Sequence, residues 1–341
     1  MVVRNTVTEA DLAPYLARYA DDTLVSRIKA LYDHQKHVWP EFRRGHEAMA
    51  RAQHKTIRLK NCSVLCQYTP HRMRSVSAKV DPSSVRKRSC FLCPGSLQTE
   101  EKGLIYGKEY LILCNIAPIF DLHLVISHQH HLRQTIRNRF ADAMALAQDL
   151  SPHFALIYNG PRCGASVPDH LHFQAFPGQN IPLRAQLRDD RHTSVHIPIL
   201  STPEIRITAP VGFSRRFLTL ESTDRATLSF WFFRILEILR GGQDDGADEP
   251  RVNLVMVFRN DQWELVVFPR EKHRPSCFHR SGESQLLISP GAIDMGGFFV
   301  IPRKRDYEKV DAQVLEGIYQ EVTIREDRFS RLIDALMRES A

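Results

Sequence analysis

Two histidines and a glutamine alternate with apolar residues in the short stretch His170-Leu-His-Phe-Gln-Ala-Phe176. Because side chains of a β-strand point alternately to its two faces, His170, His172 and Gln174 would share one face and the apolar residues the other. Imidazoles are costly to bury without partners, so a row of them favours a chemical role. An ordinary half-exposed strand shows the same alternation, and the heptad alone leaves both interpretations open.

A loop rich in glycine and small residues precedes this stretch. A predicted strand, His153–Tyr158, is followed by Asn159-Gly-Pro-Arg-Cys-Gly-Ala-Ser166. Backbone N–H groups of such a loop can approach an anion closely, as they do in phosphate-binding nests. An ordinary hairpin connection uses the same residue types. The succession of strand, small-residue loop and His-x-His-x-Gln strand predicts a phosphate held beside a nucleophilic imidazole.

The stretch Cys90-Phe-Leu-Cys93 is a second candidate for chemistry. Two thiolates separated by two residues can chelate one Zn²⁺ together with two further ligands. A redox pair of the thioredoxin type is an alternative, although the βαβ pattern that accompanies such pairs is missing. Two unlinked thiols are another. Cys62 and Cys66 form no metal-binding set, and we interpret them as small buried apolar residues.

The order of Asn159, ten intervening residues and His170-x-His172-x-Gln174 resembles the signature of the histidine-triad (HIT) superfamily. Glutamine in third place is similar to the transferase and phosphorylase branch, whereas the hydrolases usually carry a third histidine. That branch includes galactose-1-phosphate uridylyltransferase, diadenosine tetraphosphate phosphorylase and GDP-hexose phosphorylases. The string from Asn159 to His170 is most similar to an uncharacterised bacterial family of this branch. The resemblance extends from about Cys66 to about Tyr307.

This resemblance implies a covalent mechanism. Neutral His172 would attack the α-phosphorus of a nucleotide anhydride and form a nucleotidyl-histidine, while a backbone carbonyl of its own strand holds the other ring nitrogen. Gln174 would donate to a phosphoryl oxygen, together with backbone N–H groups of Gly164, Ala165 and Ser166. The implied enzyme is a ping-pong nucleotidyltransferase or phosphorylase. Its substrate would be an NDP-sugar or a dinucleoside polyphosphate, and its acceptor phosphate or a sugar phosphate.

Five further positions are expected to contact substrate. Asn159 opens the small-residue loop. Asn115, in Asn-Ile-Ala-Pro, resembles the Asn-x-x-Pro turn that reaches the nucleoside in HIT proteins, with a purely turn-forming role as the alternative. Lys79 follows a basic stretch close to the CxxC and is predicted to contact phosphate, unless it is a solvated charge. Arg270 and His273 belong to a dense basic turn suited to phosphate groups, although charged turns are usually surface.

The resemblance also implies a structural Zn²⁺ site. In uridylyltransferases an early CxxC is joined by a histidine after a long hairpin and by the first histidine of the His-x-His strand. Carried onto this chain, the ligands are Cys90, Cys93, His131 and His170. His130 competes for the third place, and His131 is preferred because of an internal repeat described below.

Four regions must position these residues. The first region is predicted to be helical, with Asp21-Asp22 as the expected cap of a helix over Thr23–Tyr32. Further helices are predicted over Asn138–Asp149 and Asp224–Leu239, and an acidic, Gly-rich loop over 241–250. The predicted regions are an N-terminal helical segment at 1–60, a first HIT-like module with the His-x-His-x-Gln site at 61–180, connecting strands with a helix and the acidic loop at 181–250, and a second, degenerate HIT-like module at 251–341.

A faint internal repeat supports two modules. Tyr110–Cys114 and His123–His131 form one hairpin-like unit, and Asn253–Phe258 and Leu265–His273 form another. Aligning the two units superposes the last histidine of each. We therefore predict an α+β fold of duplicated HIT-like modules, with a mainly antiparallel sheet flanked by helices. Chance similarity between two β-hairpins is the alternative.

The composition agrees with a globular enzyme. The 341 residues can bury a large core, and a net charge of +7 suits an anionic substrate. No basic stripe interleaved with aromatics indicates a nucleic-acid partner, and no apolar stretch approaches the roughly 18 residues of a membrane span. Seven cysteines, without a signal-like N-terminus, predict reduced thiols in the cytoplasm. Neither the oligomeric state nor the nucleobase or sugar is indicated by the sequence.

Overall fold

Thirteen β-strands build two sheets in the computed structural model, which describes residues 5–188, 196–241 and 249–340. The predicted acidic loop at 241–250 therefore lies largely outside the described residues. The strand of the His-x-His-x-Gln stretch begins at His172, so that His170 precedes it. The strands are β1 (Gln53–Arg58), β2 (Ser63–Tyr68), β3 (Leu104–Tyr106), β4 (Tyr110–Cys114), β5 (Leu124–His128), β6 (Phe154–Asn159), β7 (His172–Pro177), β8 (His196–Ser201), β9 (Ile205–Pro210), β10 (Leu218–Ser222), β11 (Val252–Arg259), β12 (Gln262–Pro269) and β13 (Phe298–Ile301).

Helices flank the strands, and the predicted ones are present with shifted ends. The first long helix begins after Thr23, whose side chain accepts a hydrogen bond from the Ser26 N–H, and continues to Val38. No helix in the described ranges combines the length and apolarity needed to cross a membrane. The helices are α1 (Glu9–Leu16), α2 (Leu24–Val38), α3 (Pro40–Ala50), α4 (Met73–Val76), α5 (Pro82–Arg86), α6 (Phe140–Asp149), α7 (Pro182–Arg188), α8 (Arg225–Gly241), α9 (Ser276–His279), α10 (Ala292–Met295), α11 (Lys304–Lys309), α12 (Ala312–Val322) and α13 (Glu326–Ser340).

The large sheet contains the same five-stranded unit twice. Its ten strands are antiparallel and follow the order β3-β4-β5-β7-β6-β11-β12-β10-β9-β8. From either edge to the centre, the order is first, second, third, fifth and fourth strand of a unit, and a long helix, α6 or α8, connects the third strand to the fourth. The two units meet where β6 pairs with β11. The predicted α+β fold of duplicated, mainly antiparallel modules is confirmed.

The strand order relates the two units differently from the predicted sequence repeat. By position in the sheet, β4 and β5 are equivalent to β9 and β10, whereas β11 and β12 are equivalent to β6 and β7. The alignment of His131 with His273 is therefore wrong. Both hairpins exist, but all antiparallel hairpins share the period-2 pattern on which that alignment depended. The strands of the second unit begin at β8, and the predicted boundary at 251 falls between its third and fourth strands.

The large sheet separates two hydrophobic cores. The predicted apolar face of β7 packs into the first core with α2, α6 and α8, through Leu171, Phe173 and Ala175. The opposite face, which carries His172 and Gln174, is turned towards the second core, built together with the small sheet. The period-2 alternation of this stretch thus presents its polar side chains to the side on which the small sheet lies.

The small sheet joins an N-terminal region of the chain to a C-terminal one on the side of that polar face. β2 pairs antiparallel with β1 and parallel with β13, which comes from the C-terminal region. Backbone bonds from Leu65 to Gly297 and from Thr69 to Ile301 extend this pairing. The segment after β2, residues 70–78, and the segment before β13, residues 289–297, consequently meet beside β6 and β7.

Candidate active site and metal centre

His172 is the first residue of β7, and its ring is held by its own chain segment. Nδ1 lies 2.8 Å from the carbonyl oxygen of His170. Because a carbonyl only accepts, Nδ1 carries the proton and Nε2 keeps its lone pair. Within the described residues no group forms a hydrogen bond to Nε2. Burial lowers the pKa of this imidazole, which is 4% exposed, so the ring is neutral. The expected backbone acceptor is present.

Gln174 follows on the same face, and a buried histidine orients its amide. His123 accepts the Ile119 N–H on Nδ1 over 3.3 Å, so its proton is on Nε2, which lies 3.2 Å from Gln174 Oε1. Burial, followed by the positive charge of Arg72, lowers the pKa of His123 to about 3 and keeps it neutral. Since Oε1 accepts from His123, the NH₂ group of Gln174 is free to donate on its other side. Sequence reasoning gave His123 no role.

The small-residue loop after β6 folds tightly around the Asn159 side chain. Asn159 Oδ1 accepts from the Ala292 N–H at 2.7 Å and from Asn253 Nδ2 at 2.9 Å. Gly164 has a φ of +94°, and a Cβ there would lie 2.6 Å from Asn159 Oδ1. Both the backbone conformation and the close approach require glycine. Glycine at this position therefore lets the loop pack directly against the Asn159 side chain.

A cavity lies between the polar face of β6 and β7, this loop and the two segments beside the small sheet. It holds about 620 Å³ of empty space, counting the opening to solvent. His172 does not line it but lies on the same strand face as a residue that does. The predicted site residues in the lining are Asn159, Gly164, Ala165, Ser166, Gln174 and His273.

Two arginines give this cavity positive charge. Arg72 donates to the Ala117 carbonyl at 2.9 Å and to the Ser75 hydroxyl at 3.1 Å, while its buried Nε has no partner in the described part of the chain. Arg274 donates to the Ala78 carbonyl at 2.8 Å. Burial lowers the pKa of both guanidinium groups, that of Arg72 to about 10, and both stay charged at neutral pH. A pair of guanidinium groups suits the phosphates of a nucleotide.

Three predicted substrate contacts are not brought to the cavity. Lys79 is exposed and outside its lining. Asn115 is also outside, and its Oδ1 accepts the Ala117 N–H at 3.0 Å, which is the turn-forming alternative. Arg270 is 1% exposed and donates to the carbonyls of residues 272, 273, 290 and 322 and to Asn253. Because every guanidinium nitrogen of Arg270 donates to the protein itself, this residue joins segments of the chain and does not line the cavity.

The four predicted metal ligands form one cluster. The ligand atoms of Cys90, Cys93, His131 and His170 lie within 4.8 Å of one another. Nδ1 of His170 is 3.3 Å and 3.5 Å from the two sulfurs, and Nδ1 of His131 is 3.2 Å from Cys93 Sγ. A tetrahedral zinc ion separates sulfur and nitrogen ligands by about 3.5 Å. The spacing fits zinc, and the cluster contains His131 and not His130, although the repeat that favoured His131 was misaligned.

The surroundings of His170 also fit a metal ligand. Its Nε2 lies 2.7 Å from the His128 carbonyl and 3.0 Å from Ser127 Oγ, so Nε2 carries the proton and Nδ1 offers its lone pair to the cluster. Burial lowers the pKa of His170 to about 4, which keeps the ring neutral as a ligand must be. The ion would be structural: it would fix the CxxC segment against the residue that supplies the carbonyl for His172.

The second unit lacks the corresponding chemistry. β7 and β12 are equivalent strands, and both end in Phe-Pro, at Pro177 and Pro269. On that alignment Glu264 stands where His172 stands in the first unit. The second unit therefore has no histidine at the position of His172, and Glu264 cannot act as an imidazole nucleophile.

Two family models match the chain. A domain of unknown function, DUF4922, matches residues 31–177, and the C-terminal domain of a GDPGP1-like family matches residues 204–340. No curated protein sequence matches the chain. The first match covers the His-x-His-x-Gln site, and the second covers most of the other five-stranded unit. They agree with the resemblance to the branch that contains GDP-hexose phosphorylases.

Solved structures show the same fold. The crystal structure of the Ap4A phosphorylase Apa2 from yeast is 15% identical over 84% of this chain and 98% of that chain, with a TM-score of 0.56. Its complex with Ap4A gives 15% identity, 84% and 97% coverage, and a TM-score of 0.55. A galt-like protein from Arabidopsis thaliana is less similar, with 14% identity over 78% of this chain and 99% of that chain and a TM-score of 0.37.

Proposed function

We propose that this chain is a member of the transferase and phosphorylase branch of the histidine-triad superfamily and acts as a nucleotidyltransferase that cleaves a nucleotide anhydride. The proposed substrate is an NDP-sugar or a dinucleoside polyphosphate, and the acceptor is phosphate or a sugar phosphate. The yeast protein of similar fold was crystallised with Ap4A, a dinucleoside polyphosphate. The observation that carries the proposal is neutral His172, whose Nε2 has no hydrogen-bond partner among the described residues. It shares its strand face with Gln174, which lines a cavity together with two guanidinium groups.

In the first half-reaction, the Nε2 lone pair of His172 forms a bond to the α-phosphorus. The bond from that phosphorus to the bridging oxygen breaks, and the leaving group departs with the bonding electron pair as a phosphate anion. The Nδ1–H stays hydrogen-bonded to the His170 carbonyl, which supports the positive charge that develops on the ring. The NH₂ group of Gln174 donates to a non-bridging oxygen, where negative charge increases.

In the second half-reaction, an oxygen of the acceptor attacks the same phosphorus. The N–P bond breaks, its electrons return to Nε2, and His172 is again neutral. Gln174 has no ionisable proton, so it supports the transferred group without protonating a leaving group. Arg72 and Arg274 would bind the phosphates of the leaving and accepting groups. Dividing one displacement into two in this way is the advantage of covalent catalysis.

Zinc is part of the proposal as a structural ion. Cys90, Cys93, His131 and His170 would hold it, and it would supply rigidity behind the nucleophile. We also propose a cytoplasmic location, which is supported by seven cysteines that form no disulfide bonds.

The proposal is tested by trapping the covalent intermediate. The protein is incubated with radiolabelled GDP-, UDP- and ADP-sugars and with diadenosine polyphosphates, then quenched in alkali, in which a phosphoramidate is stable. We expect label to remain on the protein at high pH, to be lost in acid and to be absent from His172→Ala. His153→Ala, which changes an exposed histidine outside the cavity, is the matched control and should label as wild type does.

The fate of the label separates the alternatives. Transfer from the labelled protein to phosphate or to a sugar phosphate supports the proposed activity. Release to water alone would make the protein a nucleotide-anhydride hydrolase. Absence of label with every nucleotide would leave a zinc-stabilised binding protein. Comparing the three sugar nucleotides with the dinucleoside polyphosphates identifies the substrate class in the same series.

A further inference from the structure

Gln134 joins the nucleophile strand to the strand that leads into the small-residue loop. It lies between β5 and α6 and is 2% exposed. Its Oε1 accepts the backbone N–H of His172 at 2.8 Å. Its Nε2 donates to the Asn159 carbonyl at 2.9 Å and to the His172 carbonyl at 3.1 Å. One side-chain amide therefore satisfies three backbone groups at the point where the candidate nucleophile and the loop meet.

This amide replaces direct pairing between the two strands. The last paired residues of β6 and β7 are Ile157 and Gln174, which are two residues away from Asn159 and His172 respectively. A carboxamide has the same donor and acceptor as a peptide group, so the Gln134 side chain can bridge strands that have moved apart. The separation frees the chain after Asn159 to leave the sheet as the loop. Without a bridge, the His172 N–H would be a buried donor with no partner.

The segment that carries Gln134 is fixed on both sides. The Leu171 N–H donates to the Leu132 carbonyl at 2.7 Å, immediately before His172. On the other side, the hydroxyl of Thr135 and the N–H of Ile136 donate to the buried carboxylate of Glu249, at 2.9 Å and 2.6 Å. The segment begins at a residue of the metal cluster, His131. Gln134 is thus held rigidly, and it transmits that rigidity to the main chain of the nucleophile.

We infer that Gln134 is a positioning residue for the nucleophile: its amide fixes the His172 main chain and, through it, the distance from Nε2 to the phosphorus. This inference deepens the proposed function and rests on it. Attack on phosphorus depends steeply on the placement of the attacking atom, and a misplacement of about 1 Å can cost about 100-fold in rate. Nucleotide binding depends on the cavity lining, to which Gln134 does not belong.

The test compares Gln134→Met with wild type and with Gln148→Met, which changes an exposed glutamine of α6. Methionine keeps the length of the side chain and removes both hydrogen-bonding groups; Gln134→Leu is the second variant if the first does not fold. We measure the single-turnover rate of His172 labelling, the dissociation constant of the matching nucleoside monophosphate, and deuterium exchange at the His172 amide.

We expect the labelling rate of Gln134→Met to fall on the order of 100-fold, with the dissociation constant changed less than about threefold and exchange at the His172 amide accelerated. Gln148→Met should match wild type in all three. Equal losses in rate and binding, or an unchanged labelling rate, would overturn the inference. Wild type that carries no label would refute the proposed function instead. In that case, an unchanged exchange rate at the His172 amide of Gln134→Met would still overturn the positioning role of Gln134.

Discussion

The proposed donor role of Gln174 depends on His123, which leads to a prediction specific to this pair. His123→Phe keeps an aromatic ring in the buried site and removes the Nε2–H that lies 3.2 Å from Gln174 Oε1. In wild type, a flipped Gln174 amide would point its NH₂ group at the His123 donor. The substitution removes this penalty, so the amide no longer has one preferred orientation towards the cavity.

The expected loss follows from the number of hydrogen bonds involved. Complete removal of a donor to a developing oxyanion costs about 100-fold or more in rate, which sets the scale for Gln174→Leu. His123→Phe leaves the donor in place and removes one neutral hydrogen bond that orients it, worth about 1 to 1.5 kcal/mol. We therefore expect about a 10-fold loss in the single-turnover rate of His172 labelling.

A double-mutant cycle tests whether the effect passes through Gln174. The labelling rate is measured for His123→Phe, Gln174→Leu and the double variant, with thermal unfolding of each. His34→Phe is the matched control, since His34 is also buried but lies on α2 in the other core region. We expect His123→Phe to have no further effect once Gln174 is leucine. Additive losses, or a wild-type rate for His123→Phe in a folded protein, would refute the orienting role of His123.

Three further predictions concern the loop, the metal and a partly buried carboxyl group. Gly164→Ala places a Cβ 2.6 Å from Asn159 Oδ1 and should weaken nucleotide binding, measured by calorimetry, by about 10-fold or more. Gly107 also has a positive φ but no neighbour within 4 Å, so Gly107→Ala should bind nucleotide as wild type does. Equal losses of binding in the two variants would contradict the clash. Wild type should hold about one zinc per chain by metal analysis and Cys90→Ser almost none; full zinc in the variant would contradict the cluster. Burial raises the pKa of Glu101 to about 7, so the stability supplied by its protonated form is present below the unfolded value of about 4.3 and is lost as the pH rises through 7. Glu101→Gln should then increase the free energy of unfolding, measured in urea, by about 2 kcal/mol at pH 8 and hardly change it at pH 4.5. An equal change in the free energy of unfolding at the two pH values would contradict the raised pKa.

The parts of the site that could be predicted from sequence are those whose geometry is local. The alternation in the His-x-His-x-Gln stretch is set by strand geometry alone, so the shared face of His172 and Gln174 followed directly. Glycine at position 164 reflects a local backbone conformation in the same way. The cluster of Cys90 with His170 was accessible only through the family resemblance, because 80 residues separate the two side chains that come within 3.3 Å.

Which basic side chain reaches the cavity could not be predicted. Lys79 and Arg270 lie in the same basic stretches as Arg72 and Arg274, but the pairing of β13 with β2 decides which of them face inwards. Arg270 donates its hydrogen bonds to backbone carbonyls, which only the folded chain places around it, and therefore does not face the cavity. A sequence shows that such stretches are charged and does not show where the neighbouring carbonyls lie.

Side chains that act on the backbone or on another side chain left no sequence signal. Gln134 belongs to no motif, and its role depends on the gap between β6 and β7 that it fills. The repeat was misread for a related reason: two hairpins matched in pattern while occupying different places in their modules. Strand order, which requires long-range pairing, was needed to relate β12 to β7 correctly.

The proposed mechanism requires that Nε2 of His172 becomes bonded to phosphorus. Its most direct test is peptide mass spectrometry of protein quenched in alkali after exposure to the nucleotide that labels it. We expect a nucleoside monophosphate adduct on the imidazole of His172, and no adduct on His170 or His123. An adduct on another residue, or turnover of the nucleotide by His172→Ala at the wild-type rate, would contradict it.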